Sequence, residues 1–160
     1  MATIDQLDAA ERCEALLQDT LDAVRPALVW EPAAPRAGAR LPLPGQDPDL
    51  HWYVTRGRDV RTVVSAARRA VLVDVVERHW RRRGWTITSL NAGRDRPGVT
   101  AVTSDCYRLV LRFGELGEVG LTAGSPGVLR SERLPSPPQA AGRAPVPLPD
   151  VCCPHWSAMF

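Results

Sequence analysis

Lysine is missing from this chain: all 20 of its basic residues are arginine. The planar, bidentate guanidinium grips phosphate and carboxylate better than a point charge does. Alanine, glycine and proline are plentiful as well, and GC-rich coding favours these residue types together, so the bias points to a source as readily as to a task. Long apolar runs are also missing. No stretch approaches the roughly 18–20 residues that a membrane helix needs, which excludes an integral helical membrane protein. Met1-Ala2-Thr3-Ile4-Asp5 leads straight into acidic sequence with no basic and then apolar leader, and no lipoprotein box surrounds Cys13. A cytoplasmic protein with reduced cysteines is expected. Several catalytic patterns are absent too: G-x-S-x-G, a Walker loop, G-x-G-x-x-G after a strand, and H-E-x-x-H. Nothing in the pattern argues for an enzyme, and no cofactor or metal is expected.

What is present fits one domain. The chain has 160 residues, a formal net charge of +2 and a 44% hydrophobic fraction, enough to build a core. Leu7, Ala10, Cys13, Leu17, Leu21 and Val24 recur at helical spacing and predict an amphipathic helix over 4–25, capped by Thr3 with Gln6 and stopped by Pro26. Its outer face is acidic, with a net charge of −4. Short strands are expected at Ala27–Trp30 and Leu50–Arg56, and the five prolines between 31 and 49 predict an extended, mobile loop. A second stripe, Val60, Val64, Ala67, Val71, Val75 and Trp80, predicts a helix over 60–83, capped by Asp59 or Thr62 and ended by Gly84.

After Gly84 the period changes from helical to alternating. Segments starting at Trp85, Val99, Tyr107 and Glu118 each read as a strand, joined by short links, which is the pattern of an antiparallel meander. From Leu134 on, seven of the last 27 residues are proline. The reading is an α+β two-layer sandwich over 1–133, with two helices on one face of an antiparallel sheet of five or six strands. A disordered proline-rich tail follows over 134–160. Trp52, Trp80, Trp85, Tyr107 and Phe113 are the expected large core residues.

One run of residues is familiar. Val75-Val76-Glu77-Arg78-His79-Trp80, Gly84-Trp85-Thr86-Ile87, Ala101-Val102-Thr103-Ser104-Asp105, Tyr107-Arg108-Leu109 and Ser125-Pro126 together resemble a family of small actinobacterial α+β proteins of unknown function, many of them lipoproteins. The resemblance spans about residues 50–128. It implies a helix ending in tryptophan and a glycine-aromatic entry to a meander, and it supplies no activity. This chain departs from the family in lacking the lipoprotein signal. Gly127 and Cys106 also stand where a cysteine and a hairpin glycine are expected.

The loudest local feature is basic. Nine arginines fall between Arg56 and Arg83 against Asp59, Asp74 and Glu77. Three readings compete: the charges cancel against the acidic first helix, they meet an acidic protein partner, or they grip nucleic acid. The expected function is a non-catalytic module that binds a protein partner. Arg68, Arg69, Arg81, Arg82 and Arg83 are its charge contacts, and Trp156 and Phe160 are apolar anchors. Nucleic acid is the alternative partner for the same helix. Cys152-Cys153-Pro154-His155 lacks the second spaced pair that structural zinc requires, and Cys106 has no base beside it in sequence. A thiol or metal enzyme is the third and weakest reading.

Overall fold

Two amphipathic stretches and a run of alternating ones assemble into an α+β fold. The computed structural model describes residues 4–41, 44–45, 47, 49–91, 96–133 and 146–159. In chain order the elements are α1 (Gln6–Asp22), β1 (Trp30–Pro32), β2 (Arg36–Ala39), β3 (Trp52–Val60) and α2 (Ala66–Arg82), then β4 (Thr86–Asn91), β5 (Gly98–Val102), β6 (Arg108–Phe113) and β7 (Val119–Gly124). The strands form one open antiparallel sheet in the order β1-β3-β7-β6-β5-β4, and β2 also pairs with β3. α1 packs on β3 and β7, whereas α2 packs on β4, β5 and β6. None of the helices described is long and apolar enough to cross a membrane.

The meander follows its alternation. In β6 and β7 the buried residues are Leu109, Leu111 and Phe113, and Val119, Leu121 and Ala123; register places Leu111 opposite Leu121 and Phe113 opposite Val119. Val99 and Ala101 of β5 continue that face. The opposite face carries Thr100, Val110 and Thr122 in one cross-strand row.

Helix ends differ from the expected ones for local reasons. Asp5 caps α1, its carboxylate accepting from the Asp8 N–H at 3.0 Å. Thr3, the expected cap, lies outside the described residues. Gln6 is buried beside it and staples the start of α1, donating to the Tyr53 carbonyl and accepting from the Ser131 N–H. α2 begins six residues after the predicted start, behind Ser65, because β3 continues through Val60 and Thr62 pairs with Val151. Val60 and Val64 are buried, as their stripe requires, but Val60 ends β3 and Val64 lies in the link that leads to α2. In the proline-rich 31–49 stretch, β2 pairs Arg36–Ala39 with β3, so part of the expected loop is a strand.

The C-terminal segment needs a larger correction. Residues 134–145 lie outside the described residues, but 146–159 are bonded to the body of the fold. Asp150 and Val151 donate backbone bonds to the Arg61 carbonyl, Val63 donates to Val151, and Ser65 donates to Trp156. Trp156 is fully buried and its indole N–H donates to the Pro26 carbonyl at 2.8 Å. An indole buries a large apolar body and keeps one donor to satisfy, and Pro26 supplies that acceptor. Trp80 does the same at the helix interface, donating to the Thr20 hydroxyl at 3.0 Å. Trp52 and Trp85, expected in the core, are half-buried.

Candidate functional site

Arginine placement is the first thing the fold resolves. Arg68 and Arg69 occupy the first turn of α2, and Arg81, Arg82 and Arg83 its last turn and cap. At 1.5 Å per residue the two groups stand about 20 Å apart, so the five arginines do not form one patch. Arg69 lies over the Phe113 ring at 5.8 Å. The C-terminal group is the exposed one: side chains of Arg81 and Arg83 are 59% and 53% exposed, and Arg82 is exposed between them.

Much of the remaining basic charge is spent inside the molecule. Arg78 and Arg81 pair with Asp74 and Glu77 one turn back on their own helix. Arg61 meets Glu31 and Asp150. From the acidic helix, Glu14 takes both Arg56 and Arg58, and Asp19 takes Arg83. Arg58 is buried, and its guanidinium stacks on the Trp30 ring at 4.6 Å. Cancellation against α1 is therefore real for Arg56, Arg58 and Arg83.

Beside Arg83 lies a crevice of about 400 Å³ lined by Arg12, Ala15, Leu16, Asp19, Arg83 and Trp85. Four of these residues are one stripe of α1, at i, i+3, i+4 and i+7, and two come from the turn that joins α2 to β4. Leu16 is buried and forms apolar floor, while half-buried Trp85 forms a wall. Both charged ends are held in place. Arg12 donates through Nε to Asp105 at 3.1 Å and lies 5.9 Å from the centre of the Tyr107 ring. Asp105 in turn accepts from the Thr103 hydroxyl at 2.6 Å. At the other end, Asp19 bonds Arg83 through one oxygen and His79 Nε2 through the other, the latter at 2.8 Å, and His79 meets Trp85 edge-on.

Burial pulls the Asp105 carboxyl upward. The Thr103 hydrogen bond, with the hydrogen bond and charge of Arg12, outweighs it and holds Asp105 below the usual aspartate value. Beneath this end, burial pushes the Tyr107 hydroxyl and the Cys13 thiol each up to about 12. Cys13 is a packing residue, fully buried on α1.

Among the other sequence candidates, Trp156 is inside the core and anchors the chain's own C-terminal segment, so it is not a surface for a partner. Phe160 lies outside the described residues. Cys106 is exposed in the β5–β6 turn with φ 68°, the left-handed backbone expected at that position. Cys152 is exposed and Cys153 half-buried, with His155 edge-on to Trp156. Among the described residues no three His, Cys, Asp or Glu side chains converge as metal ligands. Asp19 and His79 are paired, but the carboxylate also holds Arg83, and the pair serves to position the crevice.

Sequence reasoning passed over Arg12, Asp19 and Trp85. The i, i+7 spacing of Arg12 and Asp19 was visible, but nothing in a single sequence says which turn closes over that stripe. A scan against protein-family models, a search of curated proteins and a search of solved structures each returned no match.

Proposed function

We propose that this chain is a non-catalytic protein-interaction module that binds an acidic protein partner through the arginine-rich last turn of α2. One observation carries the reading: Arg81, Arg82 and Arg83 are exposed at adjoining positions of the last turn and cap of α2, Arg81 and Arg83 keeping that exposure while paired with Glu77 and Asp19. Guanidinium pairs well with carboxylates, and a preset arginine cluster favours an acidic surface. Arg68 and Arg69 join the contact only if the partner runs the length of α2. The same reading takes the architecture as a two-layer sandwich with both helices on one side, working in the cytoplasm.

The test is fluorescence anisotropy with two labelled probes, poly-glutamate and a single-stranded oligonucleotide of matched length. Poly-glutamate is expected to bind the native chain, and the double variant Arg81→Glu, Arg82→Glu is expected to lose about tenfold in affinity. Preference for the oligonucleotide, weakening steeply with salt, would replace this reading with a nucleic-acid one.

A further inference from the structure

We infer that the open edge of β4 pairs with the same edge of a second copy of this chain, joining two sheets across a two-fold axis. The inference is independent of the acidic-partner reading. β4 is the last strand of its sheet and is bonded on one side only, to β5. Along residues 86–90 the other side meets no strand or loop among the described residues, and all of them except Ile87 are exposed. Unpaired N–H and C=O groups in a row are a template for another strand. The opposite end of the sheet is blunted: β1 has three residues, with Glu31 and Pro32, and β2 has four, with Arg36. The six residues of β4 hold no charge and no proline.

The bulge at Thr88 is the one irregularity of this edge, and it gathers apolar surface. In a regular strand, residues three apart point to opposite faces. Here the shifted register sets Ile87 opposite Ala101 and Leu90 opposite Val99, so both lie on the helix-covered face. Two core rows therefore run out to the rim: Leu111, Val99 and Leu90, and Leu109, Ala101 and Ile87. The first row ends uncovered, with Leu90 49% exposed. A further strand about 4.8 Å away covers it. The chemistry of the edge points to the chain itself as that strand. An acidic segment finds no cation on β4. A two-fold contact brings each group near its own copy, so it favours an edge with no charge to repel. An axis normal to the sheet keeps the helix-covered faces of both copies on one side. Antiparallel pairing centred on Thr88 and Ser89 then sets Leu90 of each copy beside Ile87 of the other.

Sedimentation equilibrium of the full chain, from about 5 to about 500 µM, is expected to show the average mass rising from monomer toward dimer. The variants act at the centre of the edge, where Thr88 and Ser89 are exposed. The double variant Thr88→Lys, Ser89→Lys sets like charges around the axis, as does Thr88→Glu, Ser89→Glu. Each alone is expected to associate at least about tenfold more weakly, and an equimolar mixture of the two is expected to restore a one-to-one pair. Circular dichroism establishes that both are folded. Amide hydrogen exchange needs no variant: protection within residues 86–90 is expected to rise with concentration of the native chain. A native chain that stays monomeric at about 500 µM overturns the inference. Dimers that both variants form as well as the native chain does, variants that stay apart when mixed, or exchange unchanged by concentration overturn it too, because association then does not run through β4.

Discussion

Arg12 and Asp105 couple the middle of α1 to the β5–β6 turn, and their ion pair ties a proton to the fold. Asp105 titrates below its unfolded value of 3.8. A carboxylate with a depressed folded value adds stability that is fully present above about pH 4 and is lost as the pH falls through the folded value. The pair is nearly half exposed at both ends, with side-chain exposures of 42% and 47%, so screening keeps that contribution small. The sharper readout is the carboxyl carbon itself. NMR titration of Arg12→Gln is expected to move Asp105 upward, since burial then acts against only the Thr103 hydroxyl and the backbone hydrogen bond of Asp105 itself; an unchanged titration would remove Arg12 as a cause. Some residue-scale features were legible in sequence. The left-handed backbone at Cys106 follows from a tight link between two alternating strands, and Cys13 follows from its place in the apolar stripe. Trp85 was not, because a tryptophan after a helix-ending glycine looks the same whether it enters the core or lines a crevice.

Between the two helices the decisive contact is small. Trp80 of α2 is fully buried and its indole N–H has the Thr20 hydroxyl of α1 as acceptor. Thr20 is itself buried and also donates to the Leu16 carbonyl. Thr20→Val keeps the shape and removes the acceptor, leaving a buried donor, and is expected to cost about 1–3 kcal/mol in urea denaturation. In the Trp80→Phe background the same change is expected to cost much less, because no donor remains to strand. Both helices and the four-strand meander were readable from period alone, since each has one buried face and a long enough run. The start of α2 was not. Val60, Val64 and Ala67 fit a helical stripe, yet Val60 is the end of β3 and Val64 lies in the link before Ser65, both buried against the same core, while Ala67 is exposed on α2. β2 was missed for a different reason: Arg36–Ala39 has no apolar alternation and is a strand only because β3 offers it an edge.

At the scale of the whole molecule, the segment around Trp156 changes what counts as the domain. Composition alone assigns everything after Leu134 to a tail, because prolines accumulate and charges thin out. What composition does not weigh is a single indole placed beyond the prolines, whose burial outweighs a short run of poor formers. Trp156→Ala removes a fully buried side chain and its hydrogen bond to Pro26, and is expected to cost about 3–5 kcal/mol. Equilibrium urea unfolding checks it. A loss below about 1 kcal/mol would mean that the segment rests on the body without supporting it.

That bond joins residues 130 positions apart, and α1 is tied at its start to Leu129 and Ser131. Both ties therefore reach across most of the described fold. Contacts this distant in sequence must overcome loop-closure entropy before they contribute, so the closing of the Trp156 slot is expected among the slow events of folding.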